Sequence, residues 1–283
     1  ILEKVNAKTK TKIKKVLVSI NGDHIAARSS FAAVAFSERA NRHVTASDIN
    51  YLRRQARLLG VRINELILHE FPQDYVLDDN HSTVSPLGLL ARKIQLNSYL
   101  LSASHSFLGN ISTAINQAGY GVLETVFSGI ASSLSVLSEE EKKKGVILLD
   151  MGACFTTLLF FKDGIMRDYG SIRFGGSDIT GDIASGLKLP WELAEEIKKS
   201  SLVLSSTDSL PSNALVIKRG SSYTTLERIK LYESVKQGVE KFIDCINEIL
   251  KRSNWSNKIE CGIVGIGGTA HLEGILEKIE SGS

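Results

Sequence analysis

The 283-residue chain has little cysteine, no long apolar run and none of the short signatures of common hydrolases. Cys154, Cys245 and Cys261 are widely spaced and odd in number, which argues against a disulfide framework or a CxxC zinc site and fits a reducing cytosol. No stretch approaches the roughly 18 apolar residues of a membrane-spanning helix, and residues 1–15 hold no secretory-signal core. GxSxG, Walker A and HExxH patterns are missing. His24, His43, His69, His81, His105 and His271 stand at no metal-ligand spacing from Cys or Glu, so a metal site built on them is not expected. His69 reads as a packed histidine within a strand.

Positive charge is scarce outside one segment. The formal net charge is +3, yet residues 1–15 alone contribute +5, from six Lys against Glu3, and the rest of the chain sums to −2. That balance excludes a broad cationic face for nucleic acid. The Lys-rich start reads as a solvated end or helix face, with a phosphate- or lipid-facing segment as the alternative. With 43% hydrophobic and 23% charged residues, the chain has the composition of a folded protein, and its length suggests about two domains.

Along the chain, Val16–Ile20 and Phe31–Phe36 read as strands. Thr45-Ala-Ser-Asp48 resembles a capping box, opening a helix with Ile49, Leu52, Ala56 and Leu59 on its apolar stripe, Arg53, Arg54 and Arg57 outward, and Gly60 as its stop. Strands are expected at Leu66–Glu70 and Tyr75–Leu77, then a loop over Asp78–Pro86, then a strand over Lys93–Ser102. A helix striped by Leu108, Ile111, Ile115 and Ala118 ends at Gly119, and a short strand and another helix around Ala131–Leu137 follow. Gly145–Asp150 is the apolar run of a buried strand, Leu158–Phe161 its hairpin partner, and Lys162-Asp163-Gly164 turns into a third strand. Helices are expected over Asp178–Leu187, over Trp191–Lys199 behind Pro190, and over Leu226–Lys251, the last burying Ile229, Tyr232, Val235, Val239, Phe242, Ile246 and Ile249. Ser200–Ser212 reads as a loop, and strand Ile259–Ile266 leads through Gly267-Gly268-Thr269 into a final helix. The order indicates an α/β protein with an inserted α+β subdomain.

Three places carry chemistry. Asp150-Met-Gly152 through Thr156-Thr157 puts glycine and a carboxylate in a strand-end turn, where backbone N–H groups meet an anion and the Asp holds magnesium or orients water; an ordinary hairpin is the plain alternative. Gly267-Gly268, between strand and helix, lets backbone approach a ligand. Glu195 and Lys198, one helical turn apart, either grip a sugar hydroxyl or form a surface ion pair. Cys154 has no histidine near it in sequence to make it a nucleophile.

In combination these pieces resemble the FtsA family of the actin-like superfamily. The residues that carry the likeness are Val16–Gly22, Ile67-Leu-His69 with Pro72-Gln73 and Asp78, Pro86-x-Gly88, Leu137–Lys142 with Gly145, Gly175-Gly176 with Asp178 and Asp182-Ile-Ala184, and Ala194–Lys198. The resemblance implies an actin-like (ribonuclease H-like) fold. Residues 1–22, 103–145, 146–186 and 258–283 would belong to its two lobes, 23–102 to the inserted α+β subdomain, and 187–257 to a second insertion. It implies ATP with Mg in a cleft contacted by Asp150, Gly152, Thr156, Gly175, Gly176, Glu195, Lys198, Gly267 and Gly268, with Asp150 reaching magnesium through water.

The resemblance also implies a division adaptor at the cytoplasmic face of the membrane. It would polymerise, receive the FtsZ C-terminal tail with Lys236, Lys241, Lys251 and Arg252 as the free cations, and meet other division proteins through residues 23–102. The family's first phosphate hairpin and its C-terminal membrane helix are expected outside this chain, which starts at Ile1. The phosphate turn departs from the family's pattern at Ala153, Cys154, Phe155 and Thr157, so at most weak ATPase activity is expected. A PilM-type pilus-assembly adaptor and a small-molecule kinase of the same superfamily are the rival readings.

Overall fold

The computed structural model describes residues 2–9, 12–36, 41–204, 214–219 and 222–282. It divides into two units, Ile1–Ser138 with Ile165–Arg167, and Glu139–Gly164 with Asp168–Ser283.

In chain order the first unit holds α1 (Leu2–Thr9), β1 (Lys15–Ile20), β2 (Ile25–Ala35), β3 (Arg42–His43), α2 (Ala46–Gly60), β4 (Glu65–Leu77), β5 (His81–Thr83), β6 (Leu90–Ala91), β7 (Lys93–Ser104), α3 (His105–Gln117), β8 (Gly121–Phe127) and α4 (Ser128–Val136). β1 pairs in parallel with β8. An antiparallel sheet in the order β2-β7-β4-β5 carries α2, whose Leu52 and Ala56 are fully buried against Ala32, Ile94 and Leu96. α2 starts as its sequence dictates. The Asp48 amide donates to Thr45 Oγ1 (3.3 Å) and the Thr45 amide donates to Asp48 Oδ2 (2.8 Å), a closed capping box. Hydrogen bonds from Arg42, reinforced by those from Thr45, hold the Asp48 carboxyl at about 2.

Several elements differ from the sequence pattern. β2 begins at Ile25, earlier than expected. The two strands expected around Leu66–Glu70 and Tyr75–Leu77 are one, β4, because register shifts between Ile67 and His69 and between Pro72 and Asp74 absorb the proline without ending the strand. The expected loop after it contains β5. Leu59 is 71% exposed; the position four after Ala56 is Gly60, where a Cβ would stand 2.5 Å from Leu100 Cδ1. Gly60 therefore closes the stripe by close approach and α2 stops after it. Ala118, expected on the stripe of α3, is exposed. His69 is half-buried, its Nε2 accepts the Phe127 amide (3.0 Å), and burial lowers its pKa.

The second unit holds α5 (Glu139–Lys144), β9 (Val146–Met151), β10 (Thr156–Lys162), β11 (Ile165–Ile172), α6 (Gly176–Gly186), α7 (Trp191–Ser201), β12 (Leu215–Arg219), β13 (Ser222–Leu226), α8 (Arg228–Arg252), β14 (Ile263–Ile266) and α9 (Ile275–Gly282). The sheet order is β11-β10-β9-β14, with β14 parallel to β9. Asp163 and Gly164 both have positive φ (57° and 75°), the geometry of a two-residue hairpin turn. α6, α7 and α8 bury Ile179, Ile183, Ala194, Val235, Val239 and Phe242 in one core with Leu149, Leu158 and Phe160 of the sheet.

In α8 Ile229 is 37% exposed and Leu231, one turn before Val235, is buried in its stead. The last strand is shorter than expected. The Glu260 and Cys261 amides both donate to the Gly145 carbonyl (3.2 and 2.8 Å), so the chain joins the sheet only at Ile263. α7 runs on to Ser201, and residues 205–213 of the expected loop lie outside the described residues. The hairpin of β12 and β13 had no signature in its Ser- and Thr-rich sequence.

Thr45→Ala removes a cap whose typical worth is about 1 kcal/mol. Hydrogen exchange at the first turn of α2 should speed up about fivefold, while Thr45→Ser should leave it unchanged.

Candidate functional site

β9 delivers Asp150 and Met151 to a tight turn, closed by the Gly152 amide donating to the Phe155 carbonyl (3.0 Å). The Gly152 carbonyl then accepts twice, from the Gly176 amide (3.0 Å) and from Thr269 Oγ1 (2.9 Å), and the Ala153 carbonyl accepts the Ser177 amide (2.8 Å). Three glycine-bearing turns are thereby tied to one another. Two of those glycines are sterically required. A Cβ at Gly175 would stand 2.5 Å from both the Gly152 and Ala153 oxygens, and one at Gly267 would stand 2.4 Å from the Met151 oxygen at a backbone φ of +91°.

Across from these turns lies α7. Lys198 is 7% exposed, and its ammonium donates to the Gly176 carbonyl (2.8 Å), Thr180 Oγ1 (2.8 Å) and Glu195 Oε2 (2.6 Å). Glu195 takes a further ion pair from Lys199 (2.9 Å) and a hydrogen bond from Thr180. Partial burial works against the Glu195 charge, but the bonds from Lys198, Thr180 and Lys199 outweigh it and bring its pKa to about 2. Glu195 and Lys198 are thus no loose surface pair. The lysine is spent inside the protein, and the carboxylate, 30% exposed, is the member that faces outward.

These elements enclose a cavity of about 370 Å³ within the second unit. Of the residues singled out from sequence, Gly152, Gly176, Glu195, Lys198 and Gly268 line it. Asp150, Thr156, Gly175 and Gly267 are not on its wall. Gly175 and Gly267 shape the turns from behind, and the fully buried Thr156 donates its hydroxyl to the Phe174 carbonyl (2.9 Å). Asp150 is half-buried and burial raises its pKa. No group of three His, Cys, Asp or Glu side chains is placed to hold a metal among the described residues.

Sequence reasoning missed Ser177, Trp191, Lys199 and Thr269, all on the wall. Trp191 and Lys199 lie four residues before and after Glu195 on α7, so the helical repeat alone would have found them. Cys154 is exposed, 4.0 Å from Ser177 Oγ. The four cations expected to be free on α8 form no cluster. Lys236 pairs with Glu240 (4.0 Å), Lys241 acts on Asp182, and Lys251 and Arg252 sit in the last turn, about 22 Å further along the helix.

Comparison with known proteins points one way. A family model described as "Cell division protein FtsA" matches residues 147–282, and one described as "SHS2 domain inserted in FTSA" matches residues 22–102. The cell division protein FtsA of Pseudomonas aeruginosa is 30% identical over 271 residues, covering 95% of this chain and 64% of that protein. FtsA of Escherichia coli K12 is 28% identical over 272 residues, with 93% and 64% covered. The corresponding figures for Bacillus subtilis FtsA are 26% over 269 residues, with 93% and 60% covered. The chain therefore spans somewhat less than two thirds of the length of these relatives. Among solved structures, a chain of a PilM–PilN type IV pilus biogenesis complex superposes with a TM-score of 0.64 at 14% identity, over 99% of this chain and 70% of that one. MreB5 of Spiroplasma citri bound to AMPPNP gives 0.52 at 17% identity, over 63% and 56%. At such identities the likeness shows the fold alone, and that fold is actin-like.

The Glu195 pairings set a pH window. A carboxylate whose folded pKa lies below its unfolded value of about 4.5 stabilises the fold fully above that value and loses the contribution as pH falls towards 2. In urea titrations the stability difference between the native chain and Glu195→Gln should be present at pH 6 and gone by about pH 2. A difference constant across that range would remove the ion-pair account. Lys198→Ala, which strips three acceptors of their donor, should cost roughly 2 kcal/mol.

Proposed function

This chain belongs to the FtsA family of actin-like proteins, and we propose that it acts as a nucleotide-binding adaptor of bacterial cell division. The observation that supports the reading most is the cavity of about 370 Å³. Five of the residues that the family likeness assigns to nucleotide converge there, and its size is that of a small-ligand pocket. Glu195, held ionised by Lys198 and Lys199, offers carboxylate oxygens to ribose hydroxyls. Gly268 leaves the opposite wall bare, since a Cβ there would meet no atom within 4 Å. Gly152, Ala153 and Gly176 bring backbone to the cavity edge, where a phosphate chain would lie.

Magnesium fits less well. Asp150 is the one carboxylate near the phosphate turn, burial disfavours its charge, and it does not line the cavity. No hydrolytic step is derived through a metal, and nucleotide serves in this reading as a brace. The wider role rests on kinship. Braced subunits assemble head to tail, the assembly works at the cytoplasmic face of the membrane, and the second unit receives the C-terminal tail of FtsZ, with the exposed Lys251 and Arg252 favouring an acidic segment. A small-molecule kinase would need a carboxylate free to face its substrate. Among the described residues Glu195 is the lone acid on the cavity wall, and its oxygens are taken up by two lysines and Thr180.

Gly268→Val should fill the cavity without disturbing the fold. Calorimetry with ATP should show at least a tenfold loss of affinity at an unchanged melting temperature, whereas unchanged affinity would move the ligand elsewhere. Fluorescence anisotropy of a labelled FtsZ tail peptide tests the adaptor role separately. Saturable, salt-sensitive binding is expected, and a folded chain that shows none would shift the reading to another actin-like adaptor.

A further inference from the structure

The largest open groove of the first unit, about 790 Å³, runs between α2 and the start of β4, away from every residue assigned above to nucleotide. Its wall is Arg53, Arg54 and Arg57 on α2, and its floor includes Glu65, Ile67 and Glu70 on β4. The two acids are already engaged. Glu70 holds Arg53 (3.2 Å), and Glu65 holds Arg28 and accepts from Ser102 (2.7 Å), which keeps its pKa at about 2. Arg54 and Arg57 are left exposed with no ion pair among the described residues, one helical turn apart and facing the same groove. Beside them Leu58 and Leu66 are 65% and 45% exposed.

The floor strand is also open along one side. β7 pairs with β4 throughout, but β5 covers only Tyr75–Leu77, so over residues 65–68 no second strand joins β4 among the described residues. Exposed edges of this kind accept an added strand, and native proteins usually blunt them. Here the edge is unblunted over those residues and flanked by unpaired arginines.

We infer that this groove docks an extended acidic peptide segment of a partner protein, which adds as a strand to the open edge of β4. The geometry specifies the pattern of that segment. Alternate side chains of an added strand are about 7 Å apart on one face, close to the separation of Arg54 and Arg57 along α2, so acids at every second position meet the arginines. The intervening side chains fall on the face of Leu66, which alternates with Glu65 and Ile67, and there apolar residues fit. A nucleic acid would match the arginines but has no backbone amides for the strand edge, and it would lie over two carboxylates. The inference needs no nucleotide and does not depend on the reading of the second unit.

The test uses the whole chain and a labelled ten-residue peptide alternating Glu and Val, with three comparisons: the Lys/Val peptide, the Glu/Val peptide N-methylated at alternate amides, and ten-residue oligo-dT. Saturable binding of the Glu/Val peptide is expected. It should weaken about tenfold in Arg54→Gln/Arg57→Gln and on N-methylation, and should not occur with Lys/Val. Both arginines are exposed and unpaired, so circular dichroism should show the double variant folded. No saturable binding, equal binding by the double variant, or equal binding of the N-methylated peptide overturns the proposal. Oligo-dT bound as tightly as the peptide would also overturn it, in favour of a nucleic-acid surface.

Discussion

The candidate site depends on one buried ammonium. An unpaired lysine taken out of water is costly enough to lose its proton or unfold its surroundings, so Lys198 can sit at 7% exposure only with its three donors satisfied. They reach a backbone carbonyl at the head of α6, a hydroxyl one turn into α6 and a carboxylate on α7. The requirement fixes the relation of the two helices more tightly than their apolar contacts do, because packing is tolerant of small slides and hydrogen-bond geometry is not. It also fixes Glu195, which cannot turn away without stranding the lysine, so the carboxylate is presented to the cavity already oriented.

The opposite wall is positioned by a second constraint of the same kind. The Gly152 carbonyl accepts both the Gly176 amide and the Thr269 hydroxyl, and such convergence demands backbone approach that side chains would block. Gly175 and Gly267 supply it, the first by leaving room for two carbonyls and the second by accepting a positive φ. The glycines that make the site possible are therefore partly distinct from those that line it. A reading of motif positions assigns ligand contact to both kinds, and only coordinates separate them.

That distinction also marks how far the sequence could be read. The buried strand Val146–Met151, its hairpin, the capping box of α2 and the long stripe of α8 were legible because each is a local pattern with one physical solution. What escaped depends on contacts distant in sequence. Gly60, in place of Leu59, closes the face of α2 because Leu100 and Ser30 lie against it. β14 starts late because Gly145 captures two amides first. Lys198 looked like half of a surface pair because nothing local tells that Gly176 and Thr180 lie over it. The hairpin of β12 and β13 carries exposed Val216 and Tyr223, and without a buried face it leaves little periodicity to read.

The divergent phosphate turn gains a physical rationale from the strand register. Thr157 lies directly opposite Asp150 across β9 and β10, fully buried, and its hydroxyl has no partner. The family likeness puts an aspartate at that position. Two carboxylates facing each other across antiparallel strands repel, and burial magnifies the repulsion, so such a pair calls for a cation between them. Threonine removes the need. The turn then stands without metal, held by the Gly152 and Ala153 carbonyls, and a chain so built is better suited to holding a ligand than to cleaving it. Burial of Asp150, which already disfavours its charge, acts in the same direction.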